Sequence, residues 1–301
     1  MPGLCAGRIV IVTGAGRGLG RAYALAFARE GARVLVNDLG TTLTGEGRDL
    51  ATAQAVVDEI RAAGGEAVAN GDDVSEWDGA GRIVAAALAA FGGLDVVVNN
   101  AGFVRDRMFV SATVEEWDAT MKVHLRGHFC VTRHAVDYWR ARAKEGKPVD
   151  ARIINTSSGA GLNGSVAQSA YSAAKGGIAS LTLVQAAELR RYGITANALA
   201  PAARTRMTEQ AFAEKMRRPP QGFDVQDPDN IAPTVVWLGS TESREVSGCV
   251  FELEGGRIGI DDGWNDGPQI ERQARWQPRE VGAAVSALLA QRRPQKKVYG
   301  T

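Results

Sequence analysis

The chain has 301 residues, of which 45% are hydrophobic, and a formal net charge of +1. This charge balance does not favour nucleic acid or an anionic membrane as a partner, and no stretch approaches about 18 uninterrupted apolar residues. The three cysteines, Cys5, Cys130 and Cys249, are odd in number and far apart, which indicates inert thiols in a reducing compartment rather than disulfides. We therefore expect a cytoplasmic protein that binds neither nucleic acid nor membranes.

The first predicted unit has the order of a phosphate-binding site. A β-branched strand at 8–12 runs directly into a glycine-rich turn and then into a helix at about 21–30. Glycines let the backbone approach a pyrophosphate, and the helix N-terminus offers unpaired N–H groups and a positive dipole. The turn follows the pattern T-G-x-x-x-G-x-G, because Leu19 stands where G-x-G-x-x-G requires its last glycine. The predicted dinucleotide contacts in this turn are Thr13, Gly14, Gly16, Arg17, Gly18, Leu19 and Gly20.

The second predicted strand, at 33–37, ends at Asp38. An acidic side chain at this position accepts hydrogen bonds from the adenosine ribose and repels a 2′-phosphate, which favours NAD over NADP. Arg17 opposes this preference, since its guanidinium can pair with that phosphate. We nevertheless predict NAD, because the Asp38 carboxylate would first have to be neutralised. The polar segment at 40–48 is longer than a usual βα loop and is predicted to be a surface insertion.

The rest of the chain continues to alternate strands with helices. Further strands are predicted at 67–69, 94–98, 152–155, 194–199 and 249–253, and further helices at 49–63, 80–91, 114–142, 168–192, 231–238 and 279–289. Units of this length imply right-handed crossovers and a parallel sheet covered on both faces. We predict an α/β fold with a doubly wound, Rossmann-like parallel sheet, as one domain over 1–255 with a lid at about 202–229. The extension at 256–301 is expected to pack on this body or on a neighbouring subunit.

Several polar residues map to the carboxyl ends of predicted strands, where ligands of such sheets bind. Asp73 and Val74 follow the third strand and are predicted to touch adenine, although Asp73 can equally cap the next turn. Asn99 follows the fourth strand and Ser158 the fifth. Together with the glycine turn and Asp38, this convergence predicts a dinucleotide site at one edge of the sheet.

Tyr171 and Lys175 are four residues apart in a predicted helix, so their side chains share one face. A free tyrosine has a pKa of about 10, too high for efficient acid–base catalysis at neutral pH, and a nearby ammonium is expected to lower that pKa. Ser158 is placed to donate to a carbonyl oxygen while the tyrosine protonates it. The pair by itself also fits a solvated surface contact, and only the rest of the chain favours catalysis.

His124 and His128 are also four residues apart, in the predicted helix at 114–142. This spacing can hold a metal, but no glutamate lies between the two histidines in the manner of metal-binding helices and no third ligand follows at a suitable distance. We therefore predict no metal site.

These residues together resemble the short-chain dehydrogenase/reductase family over about 4–253. The resemblance rests on T-G-x-x-x-G-x-G from Thr13, N-N-A-G from Asn99, and a serine with Y-x-x-x-K at Ser158, Tyr171 and Lys175. It implies reversible hydride transfer between an alcohol and a ketone with a nicotinamide cofactor. It also implies that Tyr171 is the acid/base, that Ser158 orients the carbonyl, and that Lys175 binds the nicotinamide ribose and tunes Tyr171.

The resemblance extends the site at further positions. The additional cofactor contacts that it implies are Asn100, Ala101, Gly102, Tyr171, Lys175 and Pro201. The family usually has an asparagine where this chain has His124, and the main-chain carbonyl of that residue holds a water in a proton relay, so His124 joins the predicted catalytic residues. A second departure is Pro201-Ala202, where Pro-Gly is usual.

Within the family, some segments resemble the dehydrogenase part of peroxisomal multifunctional enzymes of type 2 and their bacterial stand-alone relatives, including those acting on steroid side-chain acyl-CoA thioesters. These segments are V-H-L-R-G from Val123, V-N-D-L-G from Val36, R-D-R from Arg105, R-M-T from Arg206 and G-W at Gly263-Trp264. The implied substrate is a 3-hydroxyacyl-CoA, oxidised to the 3-ketoacyl-CoA with NAD.

Two alternatives remain open at this point. One is a hydroxysteroid or other bulky secondary-alcohol dehydrogenase, which would use the same hydride chemistry. The other is a catalytically inactive NAD-binding sensor, which the intact Ser158, Tyr171 and Lys175 disfavour. The predicted helices at 114–142 and 168–192 match those that pair subunits across the family, so a homodimer or homotetramer is expected.

Overall fold

A computed structural model describes residues 2–42, 47–205, 208, 209, 214, 216–262, 265, 267–271, 273, 278–292 and 298–300. Its centre is an eight-stranded sheet with the order β3-β2-β1-β4-β5-β6-β7-β8. The strands are β1 (Ile9–Thr13), β2 (Arg33–Asn37), β3 (Glu66–Asn70), β4 (Val96–Asn99), β5 (Ala151–Thr156), β6 (Ile194–Ala202), β7 (Val250–Glu254) and β8 (Arg257–Asp261). Strands β1 to β7 pair in parallel, and β8 runs antiparallel to β7.

Helices connect the strands. Those described are α1 (Gly18–Arg29), α2 (Ala51–Ala62), α3 (Trp77–Phe91), α4 (Val114–Met121), α5 (Gly127–Lys144), α6 (Gly159–Asn163), α7 (Ser169–Leu189), α8 (Ala232–Gly239) and α9 (Pro278–Gln291). The predicted doubly wound, Rossmann-like α/β fold is confirmed, and the element boundaries differ from the predicted ones by a few residues.

Side chains that alternate in direction along each strand divide the hydrophobic core between the two faces of the sheet. Val10 and Val12 of β1 pack in one buried cluster, whereas Ile11 between them packs in another. The same division separates Val34 from Leu35 in β2. Successive strand side chains point to opposite faces, so an uninterrupted run of β-branched residues supplies both layers at once.

The predicted helix at 114–142 is in fact two helices joined by a π-helical turn. α4 ends at Met121, Lys122–Arg126 form the π turn, and α5 starts at Gly127. A π turn holds one extra residue and re-aims the side chains on its two sides. Here the residue at its centre is His124, whose side chain is buried. Sequence periodicity does not reveal such an insertion, because the apolar pattern continues through it.

The sheet does not end at the strand predicted over 249–253. β7 is followed by a two-residue Gly255-Gly256 turn and by β8, which returns antiparallel along it. Gly255 has a φ of 54°, which suits a tight hairpin. Ile258 and Ile260 of β8 are exposed. The strand therefore has no buried apolar face, which is the feature that a sequence pattern would reveal. The short helix α6 was likewise not predicted.

Part of the predicted lid at 202–229 is described. Its anchor is Arg204, whose guanidinium donates two hydrogen bonds of 2.7 Å to the Asp224 carboxylate. Residues 206, 207, 210–213 and 215 lie outside the described residues, as do Gly263-Trp264 and most of the tail beyond 292. Among the described helices, none combines the length and apolarity needed to cross a membrane.

Candidate active site

The glycine turn after β1 is tied to the end of β4 by a set of polar contacts. The Thr13 hydroxyl accepts the backbone N–H groups of Asn100 at 3.0 Å and Ala101 at 3.1 Å. The Asn100 side-chain amide donates back to the carbonyls of Thr13 at 3.0 Å and Gly14 at 3.1 Å. Because these bonds run in both directions between neighbouring parallel strands, the turn has one fixed position at the carboxyl edge of the sheet.

Two glycines of the turn leave no room for a side chain. A Cβ built on Gly14 would lie 2.7 Å from the Ala101 Cα, and the Gly14 φ of 62° disfavours other residues. A Cβ built on Gly20, in the first turn of α1, would lie 2.2 Å from the Gly14 carbonyl oxygen. These close approaches bring the N-terminus of α1 against the turn and leave bare backbone at the surface. Such a cradle fits the pyrophosphate of a dinucleotide.

Asp38 lies beside this cradle and is held by backbone donors. One carboxylate oxygen accepts the Gly16 N–H at 2.8 Å, and the other accepts the Gly40 N–H at 2.7 Å. The Arg17 guanidinium, by contrast, donates to the Thr52 hydroxyl of α2 at 3.1 Å. The carboxylate is therefore fixed beside the glycine turn, and the Arg17 guanidinium is directed toward α2.

An open cleft of about 210 Å³ connects these parts. Predicted cofactor contacts that line it are Gly14, Arg17, Gly18, Leu19, Gly20, Asp38, Asp73, Val74, Asn100, Ala101 and Gly102. Lining residues that were not predicted as cofactor contacts include Leu39, Phe103, Val123 and Thr205. Leu39 and Val123 lie in the segments V-N-D-L-G and V-H-L-R-G, whereas Phe103 and Thr205 have no sequence signal beyond their closeness to such segments.

Five predicted cofactor contacts do not line this cleft, among them Tyr171 and Lys175, which are described below, and one that does line it has an additional role. Thr13 and Gly16 lie behind the turn, where they hold Asn100 and Asp38. Pro201 is in β6, paired with Leu253. The Asp73 carboxylate lines the cleft and also accepts the backbone N–H and the hydroxyl of Ser75 at 2.8 and 2.7 Å. The predicted alternative, in which Asp73 caps the next turn, is therefore also observed.

The second part of the site brings together Ser158, Tyr171 and Lys175. Ser158 follows β5 and is the N-cap of α6, where its hydroxyl accepts the Ala160 N–H at 3.2 Å. The same side chain acts on the Tyr171 phenol, where it favours the phenolate form. Tyr171 and Lys175 share one face of α7, with the Lys175 Nζ 5.6 Å from the tyrosine ring centre. The predicted serine, tyrosine and lysine are therefore neighbours in space.

The electrostatics of this group differ from the sequence expectation. Burial raises the pKa of Tyr171 above its usual value, and the hydrogen bond from Ser158 acts in the opposite direction. Burial also lowers the pKa of Lys175 to about 7. The expected lowering of the Tyr171 pKa by Lys175 is wrong for this structure, because the Lys175 Nζ donates to the Thr156 carbonyl at 2.7 Å and burial dominates at the phenol.

His124 packs directly against the catalytic tyrosine candidate. The imidazole is 1% exposed, and its ring meets the Tyr171 ring edge-on at 5.3 Å between centres. Its Nε2 lies 2.6 Å from the Phe103 carbonyl oxygen and 3.1 Å from the Phe103 backbone nitrogen, and Nδ1 is buried without a hydrogen-bond partner among the described residues. Burial is the main cause that lowers the pKa of His124 to about 3, and the nearby Lys175 adds to it. The side chain is thus a neutral imidazole that fills the space beneath Gly102.

His128, one turn later, is equally buried and does not join His124 in a metal site. Its Nε2 accepts the Thr156 N–H at 3.3 Å, and burial lowers its pKa well below the usual value. Over the described part of the chain, no cluster of three or more His, Cys, Asp or Glu side chains is arranged to hold a metal ion.

Comparison with known proteins agrees with this geometry. Residues 8–216 match the short chain dehydrogenase family. A crystal structure of a short chain dehydrogenase from Mycobacterium avium superposes with a TM-score of 0.89 at 58% sequence identity, covering 99% of this chain and 100% of that one.

Two further relatives have more specific names. Hydroxyacyl-CoA dehydrogenase ChsB1 of Mycobacterium tuberculosis is 43% identical over 98% of this chain and 92% of its own length. Peroxisomal multifunctional enzyme type 2 of Mus musculus is 47% identical over 93% of this chain, which spans 34% of that longer protein.

Proposed function

The chain belongs to the short-chain dehydrogenase family and is an oxidoreductase, and from this premise we propose that it interconverts a 3-hydroxyacyl-CoA and a 3-ketoacyl-CoA with NAD. The observation that carries the proposal is the meeting of Ser158, Tyr171 and Lys175 in a chain that is similar over its full length to a hydroxyacyl-CoA dehydrogenase. The name of the first relative supplies the hydroxyacyl-CoA class, and the sequence resemblance adds a steroid side-chain acyl group to the candidates.

A bound nicotinamide would supply the hydride acceptor, next to the glycine turn and Asp38. Tyr171 takes the proton from the 3-hydroxyl group as the hydride leaves, and returns it in the reverse direction. Ser158, whose side chain favours the phenolate form of Tyr171, donates to the forming carbonyl oxygen. Lys175, fixed by the Thr156 carbonyl, binds the nicotinamide ribose.

NAD rather than NADP is proposed on the position of Asp38. Its two carboxylate oxygens are held by the Gly16 and Gly40 N–H groups, so the charge cannot turn away from a 2′-phosphate placed there. Arg17, directed toward Thr52, does not neutralise it. Both observations support a cofactor with a free 2′-hydroxyl.

The proposal is tested by NADH formation from (R)- and (S)-3-hydroxyacyl-CoA, each with a straight-chain and a steroid side-chain acyl group. We expect turnover of at least one, which also determines the stereochemistry. If none is oxidised while NADH still binds, the substrate assignment is wrong, and free hydroxysteroids and other bulky secondary alcohols are the next substrates to assay. If no alcohol is oxidised, an NAD-binding sensor is the remaining reading.

A homodimer or homotetramer is proposed on the apolar side chains that α4, α5 and α7 expose. Trp117, Phe129, Leu183 and Val184 are each 39 to 50% exposed. Burying them between two copies would gain roughly 25 cal/mol per Å² of apolar surface. Light scattering after size exclusion should give at least twice the 31.8 kDa chain mass, and a stable monomer would contradict the proposal.

A further inference from the structure

The N–H and the carbonyl of Thr156, the last residue of β5, are both bonded to side chains. β4 pairs with β5 only as far as Asn99 and Asn155, so Thr156 extends past the end of its neighbour on that side. Its N–H donates to the His128 Nε2 at 3.3 Å, and its carbonyl accepts the Lys175 Nζ at 2.7 Å. Buried main-chain groups need such partners, and Thr156 is buried. One residue of the main chain therefore connects His128 to Lys175.

The His128 side chain can accept this N–H only as a neutral imidazole, because a protonated ring has no lone pair left. The ring is 2% exposed and belongs to α5. Burial is the main cause that lowers its pKa well below the usual value, and the nearby Lys175 and His124 add to this effect. The imidazole is therefore neutral near pH 7, with its Nε2 available to Thr156.

Lys175 is 3% exposed, and three titratable side chains face its ammonium group. They are His124 of the π turn, His128 of α5 and Tyr171 of α7. None of the three is charged near pH 7, since burial lowers the pKa of both histidines and raises that of Tyr171. Because these neighbours supply no counter-charge, the position of the Lys175 Nζ depends on the Thr156 carbonyl to which it donates.

A separate contact holds the part of α7 that contains Lys175. The buried Ser157 hydroxyl donates to the Lys175 main-chain carbonyl at 2.8 Å. Ser157 thus fixes the backbone of the helix, whereas Thr156 fixes the end of the lysine side chain. A change at His128 is therefore expected to displace the ammonium group and to leave the helix in place.

We propose that His128 is a positioning residue of the dehydrogenase: by accepting the Thr156 N–H, its imidazole orients the carbonyl that directs the Lys175 ammonium toward the nicotinamide ribose. The inference rests on the proposed function, which gives Lys175 the ribose as its ligand. His128 itself touches neither substrate nor cofactor and acts through Thr156. Its burial beside His124 reflects this task and not a metal site.

The test measures NADH affinity by fluorescence titration, without any substrate. His128→Phe keeps a ring and removes the acceptor, so it should weaken NADH binding by roughly fivefold, the loss expected for about one hydrogen bond. His128→Gln offers a side-chain oxygen to the same N–H and should bind NADH within about twofold of the unaltered protein. His128→Leu replaces His128→Phe if the larger ring prevents folding.

A double-variant comparison shows whether His128 acts through Lys175. Lys175→Met removes the ammonium group, so adding His128→Phe to it should change NADH affinity by less than about twofold. A merely structural role of His128 would weaken binding by the same factor with and without the lysine.

The matched control is Thr132→Val, which removes another buried hydrogen-bond acceptor of α5. Its hydroxyl accepts the Asn99 side-chain amide at 2.8 Å and is one turn from His128. This variant should lose stability in urea, as His128→Phe does, but should keep its NADH affinity within about twofold.

The outcomes separate this inference from the proposed function. Equal NADH affinities in His128→Phe and the unaltered protein, or an undiminished effect on the Lys175→Met background, would overturn the role of His128. So would a loss in His128→Gln as large as in His128→Phe. An unaltered protein that binds NADH but oxidises no acyl-CoA contradicts the proposed substrate alone, and one that binds no NADH contradicts both.

Discussion

The two sides of the site are built in different ways. On the cofactor side, the contacts join the ends of adjacent parallel strands, as between Thr13 and Asn100 or Asp38 and Gly16. On the substrate side, the segment that joins Ser158 to Tyr171 meets distant parts of the chain, among them Arg107 and Tyr299. The first arrangement is fixed by backbone geometry that a short motif encodes, and the second depends on segments that share no motif.

This difference determines how each side should respond to change. The glycine turn is held by main-chain atoms at close distance. An atom added there cannot be accommodated by a change of rotamer, because the neighbouring atoms belong to the backbone. Exposed side chains such as Val166, Val298 and Tyr299 can be shortened without displacing the backbone around them. We therefore expect substitutions on the cofactor side to affect stability and binding together, and those on the substrate side to affect catalysis or selectivity alone.

The largest effect is expected for Tyr171→Phe, which removes the proton acceptor and leaves the ring against His124. Turnover should fall by about a thousandfold or more, as for loss of a general acid–base group. NADH affinity, followed by fluorescence titration, should remain within about threefold. Substantial activity in this variant would show that another group carries the proton.

Gly20→Ala tests the cofactor side. The new Cβ would lie 2.2 Å from the Gly14 carbonyl and 2.6 Å from the Asn100 amide, so the turn or the helix must shift. We expect a loss of about 2–3 kcal/mol in the free energy of unfolding, measured in urea, together with weaker NADH binding.

Gly256→Ala is the matched control for that variant, because no described heavy atom lies within 4 Å of a Cβ built there. Its stability should be within about 0.5 kcal/mol of the unaltered protein. If Gly20→Ala were as stable as Gly256→Ala, the close approach of α1 to the turn would not be a constraint.

His124 links the two sides, and its pKa makes an acid-dependent prediction. The folded pKa of about 3 lies below the ordinary value of 6.5, so between these pH values the unfolded chain binds a proton that the folded chain does not. Stability is therefore fully present above pH 6.5 and falls as the pH decreases toward 3.

The lowered pKa of His124 therefore stabilises the folded state by about 2 kcal/mol more at pH 7 than at pH 5. His124→Asn removes this group, so its free energy of unfolding should decrease by about 2 kcal/mol less over the same interval. Urea unfolding of both proteins at pH 7 and pH 5 measures the difference. An identical decrease in both would show that His124 is not the group responsible.

The smallest effect is expected for Asp38→Asn, which removes the charge and keeps a side-chain oxygen for one of the two loop N–H groups that the carboxylate accepts. The ratio of kcat/KM for NAD and NADP should move toward NADP by roughly tenfold, since repulsion of the 2′-phosphate is lost. The double variant with Arg17→Ala should lose part of that gain. An unchanged ratio would mean that another group sets the cofactor preference.

Much of the fold and of the candidate site could be predicted from the sequence, and particular residues show why. Uninterrupted β-branched runs such as that of β1 can only be buried strands, and a glycine turn between a strand and a helix has one common use. The spacing of Tyr171 and Lys175 places them on one helical face in any structure. The convergence of the glycine turn, Asp38 and Asp73 on one cleft required only the rule that parallel strands share a carboxyl edge.

What remained hidden depended on contacts between distant segments. The π turn at His124 and the antiparallel β8 break no apolar pattern, and the raised pKa of Tyr171 results from burial that no spacing reports. The sequence by itself determined the succession of strands and helices along the chain, the glycine turn and the helical spacing of Tyr171 and Lys175, because these are local in the chain. Only the tertiary structure decided which segments enclose them, as when Tyr299 packs beside Gly159, because that choice is made by packing between residues far apart in sequence.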